Sequence, residues 1–260
     1  MAGEANRSKS MTRLLTMLIG TAAMPATAAA QTPPQAQLVN VARVQVKPDR
    51  VQEWLDVEKQ YSEAYKKGGG TFRYIYRNNA GDPFEFMVVS NVAKYATLDE
   101  KSAYAKGTSE AELSRMSARR NQCVQSVRTA YERTIPSLGI PTPAGTARKL
   151  MRVTRTTVRS GMDDQFLAIM KDEYVPALKK AGITSFLIRR VEWGGSRNVF
   201  TLMGRHDKFA ELDEGSVLTK ALGEAAATKL LAKLRQTIAN SEYMLYTFVP
   251  ESSYQPAPAQ

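Results

Sequence analysis

FEFMVVSNVAKYATLDE (residues 84–100) and NVFTLMGRHDKFAELDE (residues 198–214) align without a gap, and the heptads that close them, KYATLDE and KFAELDE, agree at five of seven positions. A match that short arises by accident in a chain of this length, so the flanks decide. Upstream, YKKGGGTFRYIYR (65–77) lies on LKKAGITSFLIRR (178–190), with one residue slipping in the turn between. Lys66, Lys67 and Gly69 then fall on Lys179, Lys180 and Gly182, and Arg77 falls on Arg190. Further upstream, ARVQVKPDRVQEWL (42–55) lies on TRTTVRSGMDDQFL (154–167), which puts Arg43 on Arg155 and Trp54 on Phe166. Downstream, TAYERTIP (129–136) lies on YMLYTFVP (243–250). Collinear matches over about a hundred residues mark an internal duplication.

Each copy carries the same order of elements. LVNVARVQV (Leu38–Val46) alternates apolar residues on a period of two, which predicts a strand. Pro48 opens a helix whose stripe of Val51, Trp54, Leu55, Tyr61 and Tyr65 runs to the stop at Gly68–Gly70. TFRYIYR and FEFMVVSNV flank the turn-forming NNAGDP and predict a hairpin. A helix over Glu110–Gln125 and a strand over about Arg128–Ile135 complete β-α-β-β-α-β. The second copy predicts strand Leu150–Val158, helix Asp163–Lys180, strands Thr184–Val191 and Asn198–Gly204, helix Glu224–Ile238 and strand Glu242–Val249. The heptads read as strand-to-helix junctions in which an aromatic and a leucine pack and Asp-Glu meets a helix start. The fold class is α+β, with repeats over 38–136 and 148–250, a Pro/Gly-rich linker over 137–147, and flexible segments over 31–37 and 251–260.

The first thirty residues read separately. Arg7, Lys9 and Arg13 precede the apolar run Leu14–Met24, then Pro25 and ATAAA (26–30), which is the order of a secretory signal peptide. Cleavage is expected after Ala30, with Ala28 as the alternative, and Met11 is an alternative start. The run is too short to span a bilayer. The expected location is therefore periplasmic or secreted. With 36 Lys and Arg against 25 Asp and Glu, the chain is basic, which suits either anionic ligands or simply a solvated surface. The single Cys123 excludes an intramolecular disulfide, so stability must come from packing.

A βαββαβ unit is a ferredoxin-like sheet with both helices on one face, and its other face needs cover. Two copies in one chain cover each other. On the element order, the repeated K-K-x-G and the aromatics after Lys94 and Lys208, the sequence resembles the dimeric α+β barrel superfamily over nearly all of the chain beyond the leader. The resemblance implies a fused pseudo-dimeric barrel, a monomer with pseudo-twofold symmetry that could dimerise further, and a small-molecule ligand between sheet and helices. For activity it implies cofactor-independent, monooxygenase-like chemistry or, alternatively, a non-catalytic stress or envelope protein with a packed barrel. Haem-degrading members place their ligand histidine in the second helix, where this chain has Thr219, Lys220 and Leu222, so no haem is expected. Nucleic-acid binding is not expected either, because the third strands lack the aromatic pattern of an RNA-recognition motif.

His206 is the only histidine, and it breaks the internal symmetry by standing opposite Val92. It is the candidate base, with Arg155 as anion clamp and Tyr174 as hydrogen-bond donor. A solvated turn is the alternative for His206, and a rim ion pair the alternative for Arg155. Arg43, Arg77, Arg190, Tyr61, Tyr74, Tyr131, Tyr246 and Trp193 are candidate ligand contacts, since arginines in phase with apolar strand residues and tyrosines in a cleft suit flat phenolic ligands. One histidine and one cysteine in different copies supply no metal set.

Overall fold

The computed structural model describes residues 36–142 and 149–255, so the stretch read as a leader, residues 31–35, the later part of the inter-repeat segment (143–148) and the last five residues lie outside the described residues. The first half runs β1 (Leu38–Val46), α1 (Val51–Lys67), β2 (Arg73–Asn78), β3 (Glu85–Val92), α2 (Ala103–Gly107), α3 (Glu110–Cys123) and β4 (Val124–Thr134). The second runs β5 (Leu150–Val158), α4 (Asp163–Ile169), a π-helical turn (Met170–Tyr174), α5 (Val175–Lys180), β6 (Phe186–Trp193), β7 (Val199–His206), α6 (Val217–Leu222), α7 (Glu224–Thr237) and β8 (Ile238–Phe248). The predicted element order is present twice. Each second helix is preceded by a short one that the alternation had not indicated.

The strands close into one antiparallel barrel in the order β1-β3-β2-β8-β5-β7-β6-β4. Each half contributes four neighbouring strands, and closure leaves no edge. Four antiparallel steps separate β1 from β5, so the two run parallel on opposite walls, as do β2 and β6. Along each strand alternate residues face the lumen or the helices. Val39, Val41, Met87, Val89, Val153, Met203 and Tyr246 pack inside. On the helix side, Trp54 packs on Phe86 at 4.5 Å between ring centroids, and Phe166 on Phe200 at 5.0 Å. Both faces of the sheet are therefore buried.

The heptads fold differently from their reading. Tyr95–Leu98 and Phe209–Leu212 are 3-10 turns, and Leu98 and Phe209 are about half exposed, so neither packs. The helices start one turn later, where Ser102 and Ser216 cap α2 and α6 by accepting from the amides of Ala105 and Thr219. Glu100 and Glu214 instead pair with Lys106 and Lys220, each at 2.9 Å. The recurrent K-K-x-G is a helix stop: Gly69 and Gly182 take φ of 84° and 76°, a left-handed conformation that a Cβ disfavours. Composition also overstates looseness at two places. Leu138 and Ile140 are buried and Ile140 bridges Phe186, while Ser252 donates to Leu55 O at 3.0 Å and Tyr254 bridges Arg73.

Cys123 is fully buried at the end of α3, its thiol 3.3 Å from Arg119 O, and burial pushes its pKa up. Both effects suppress the thiolate. The native protein should react with 5,5′-dithiobis(2-nitrobenzoate) at least roughly tenfold more slowly than the urea-unfolded chain, as followed by the absorbance of the released thiolate. Equal rates would show that the thiol is open.

Candidate functional site

The two halves fill the space between sheet and helices in opposite ways. In the first half, Glu58 of α1 is fully buried between Arg73 of β2 and Arg120 of α3. Arg73 donates to Glu58, to Ser62 Oγ at 2.9 Å and to the Tyr104 hydroxyl at 3.0 Å, and Arg120 Nε donates to Glu58 Oε1 at 2.6 Å. Burial acts to raise the Glu58 pKa, but the two guanidinium groups outweigh it and hold the carboxyl below its usual range. Tyr61 closes the network edge-on to Tyr104 at 5.5 Å. These charges fill their own layer of the first half, and a pocket of about 430 Å³ lined by Asn40, Tyr65, Ser90, Tyr104 and Tyr131 remains beside them.

In the second half the duplicated positions are Met170, Phe186 and Leu234, all buried in one apolar cluster. The cleft there is open, with a volume of about 370 Å³. Phe166, Met170, Leu178, Leu202, Leu218 and Leu234 form its apolar walls; Arg152 and Tyr243 stand near Tyr174, and Arg235 also lines it. Burial raises the pKa of the Tyr174 hydroxyl, opposed by the Arg152 charge, so Tyr174 is a neutral donor at pH 7. A cleft of a few hundred Å³ with apolar walls and a few converging polar groups has the form of a small-molecule site.

One backbone feature shapes it. From Phe166 to Lys180 the second-half helix has one residue more than the matching stretch from Trp54 to Lys67. The extra residue is absorbed in the π-helical turn Met170–Tyr174, whose two end residues both line the cleft. Such single-residue widenings are frequent at functional sites. The first-half helix α1 runs through without one.

No protein-family model matches the chain, and no curated protein matches it. Among solved structures, it is similar to a presumed monooxygenase from Lactobacillus acidophilus NCFM, with a TM-score of 0.60, 8% identity, and coverage of 86% of this chain and 99% of that one. An anthrone oxidase-like protein matches with a TM-score of 0.59 and 11% identity over 83% of this chain and 92% of that one. A presumed monooxygenase from Fusobacterium nucleatum matches with a TM-score of 0.58 and 14% identity over 85% and 99%. The fold is that of the dimeric α+β barrels. At these identities the likeness shows the fold alone, so the chemistry must be read from this barrel's own residues.

In this fused α+β barrel the three residues read as one catalytic set are apart. Tyr174 lines the open cleft. Arg155 shares the lumen face of β5 with Val153, on the other side of the sheet, where it lies 3.7 Å from Glu242 and its Nε has no partner among the described residues. His206 ends β7, with Nδ1 3.3 Å from Glu211 Oε2. Strand register pairs Leu150 with His206 and Arg155 with Thr201, so about five residues, roughly 17 Å, separate the two along the sheet.

The other candidates divide between structural roles and the lumen. Arg77 and Arg190 each brace a hairpin turn, donating to Pro83 O at 3.2 Å and Arg197 O at 2.7 Å while lying over Phe86 and Phe200. Arg43 and Tyr74 face the lumen. Tyr246 is also there, its hydroxyl pKa raised by burial and donating to Glu85 at 2.8 Å. Tyr131 stands beside Tyr95 on the first-half helix side, and Trp193 is 64% exposed at the end of β6. Sequence reasoning missed Arg152, Arg235 and Tyr243. The available signal was parity, because Arg152 and Arg155 are three apart on one strand and so face opposite ways. Among the described residues, no three His, Cys, Asp or Glu side chains are grouped to hold a metal, and no helix is long and apolar enough to cross a membrane.

Proposed function

We propose that this chain is an exported small-molecule-binding barrel, which takes a flat, largely apolar ligand with a phenolic or anionic group in its second-half cleft. The observation that carries this reading is the exchange of Glu58, Arg73 and Arg120 for Met170, Phe186 and Leu234, which leaves an apolar space where the first half has a buried ion network. The ligand's body lies on Phe166, Leu202 and Leu218, and its oxygen turns toward Tyr174 and Arg152. No carboxylate or histidine lines the cleft among the described residues, which favours binding over side-chain base catalysis and leaves His206 without a role there. The leader read from residues 1–30 sends this binding outside the cytoplasm.

The neighbours' oxygenase names suggest the catalytic extension. Anthrone, a flat ketone, has an acidic methylene; loss of that proton to solvent water gives an enolate held beside Arg152, which takes up one dioxygen, regains the proton and loses one water to give the quinone.

Titration with 2-naphthol, followed by its fluorescence, tests the reading. Saturable binding is expected, and Leu202→Trp, which fills the cleft, should weaken it by about tenfold or more with the circular dichroism unchanged. No saturation at millimolar 2-naphthol, or unchanged affinity in Leu202→Trp, would sink the proposal. Anthraquinone formed from anthrone in air, above the blank and lost in Leu202→Trp, would add the activity.

A further inference from the structure

We infer a second ligand site, in the first-half pocket, built for a neutral sugar. Strand register sets Asn40 of β1 between Ser90 of β3 and Tyr131 of β4, so an amide and two hydroxyl groups stand in one row across three neighbouring strands. All three line the pocket of about 430 Å³. Neighbouring strands lie about 4.8 Å apart, which makes the row about 10 Å long. Among the described residues none of these three side chains has a hydrogen-bond partner, and each is half-buried, so their polar atoms are left to whatever fills the pocket. Tyr131 meets Tyr95 edge-on through its ring, at 6.0 Å between centroids, and its hydroxyl takes no part in that contact.

The duplicated row of the second half stands in the same register and reads Arg152, Gly204 and Leu245. It offers one charge and nothing else polar. The first-half row carries no charge, and an amide or a hydroxyl both donates and accepts at every point along it. A ligand that satisfies the whole row needs several uncharged donor-acceptor groups along one side, which is what the hydroxyls of a sugar ring supply. An arene with a single oxygen would leave most of the row unpaired. The helix side of the pocket suits the C–H surface of such a ring: Tyr65 of α1 and Tyr104 of α2 line it with centroids 5.0 Å apart, where the second half has Leu178 and Leu218. Their hydroxyls are engaged, Tyr65 donating to Asn91 O at 3.0 Å and Tyr104 accepting from Arg73 at 3.0 Å, so they give fixed ring surface and the hydrogen bonds fall to the row. No cation in the pocket calls for an anion. Arg73, behind Tyr104, spends its donors on Tyr104, Ser62 and Glu58, Lys106 pairs with Glu100 at 2.9 Å, and Lys101 is exposed at the rim.

The test uses the full chain, with glucose, galactose, maltose, cellobiose, lactose and glucuronate as probes, in saturation-transfer NMR followed by isothermal titration calorimetry. At least one of the five neutral sugars should saturate at one per chain, with equal affinity in wild type and in the cleft-filling Leu202→Trp. Asn40→Leu, which keeps the size of the side chain and removes its amide, should weaken that sugar by about tenfold or more, and Tyr131→Phe by about threefold or more. Either variant serves should the other fail to fold, and 2-naphthol binding in the second half reports that the barrel is intact. Absence of saturation by every neutral sugar at about 100 mM overturns the inference. So does unchanged affinity in both variants. Tighter binding of glucuronate than of glucose would make Lys101 the anchor and overturn the neutral class. A sugar displaced by 2-naphthol, or lost in Leu202→Trp, would belong to the second-half cleft. Because 2-naphthol reports that cleft and the sugar the first-half pocket, either site can fail without the other.

Discussion

Glu58→Gln is expected to lower the unfolding free energy by about 3–5 kcal/mol at pH 7, because it leaves Arg73, 3% exposed, as a buried cation without its counter-charge. Glutamine keeps the shape of the side chain, so the loss isolates the charge. The same pair sets a pH dependence. The folded-state pKa of Glu58 is depressed below its ordinary value of 4.5 by Arg73 and Arg120 acting against burial. Its stabilising contribution is therefore complete above about pH 4.5 and is lost as pH falls from there through the depressed folded value. Urea unfolding from pH 7 to pH 3 checks both claims. Wild type should lose stability on acidification more steeply than Glu58→Gln, with the two curves converging at the acid end. Parallel curves, or a difference below about 1 kcal/mol at pH 7, would show that the network holds nothing together.

The duplication was legible because it is written in many collinear residues, and with it came the element order, the helix stops at Gly69 and Gly182, and Trp54 and Phe166 as paired core residues. The orientation of the strands was not. Alternation shows that Arg155 shares a face with Val153, yet both faces of this sheet are apolar and buried, so nothing in the strand says which face is lumen and which is cleft. That ambiguity put Arg155 in the proposed site in place of Arg152. His206 drew notice by being the only histidine, which is a fact of composition and carries no position. Nothing in the sequence marked Glu58, because its partners stand on a different strand and a different helix and converge only on folding. The extra residue between Phe166 and Lys180 was present in the alignment. Its meaning needed the backbone, since an insertion in a helix can be absorbed by a π turn or by a shifted end.

The asymmetry between the halves makes a second prediction of opposite sign. Exchanging the first-half network for the second-half residues, Glu58→Met, Arg73→Phe and Arg120→Leu together, should give a chain as stable as wild type or more stable by about 1–4 kcal/mol, although Glu58→Gln alone is damaging. The reason is desolvation. An intact buried ion network is held against the loss of hydration of three charges, which well-packed apolar side chains do not suffer, whereas a broken one leaves a charge bare. Ser62 keeps a partner, since it already donates to Ser252 O at 2.6 Å, and the Tyr104 hydroxyl is half-exposed and can turn to water. Met, Phe and Leu together take up about as much room as Glu, Arg and Arg, so the exchange leaves no large void between α1, α3 and the sheet. The triple variant should thus lose the Glu58-dependent acid sensitivity in the same urea unfolding from pH 7 to pH 3. A triple variant as unstable as Glu58→Gln would mean that the charges supply specific packing that the second half obtains in another way.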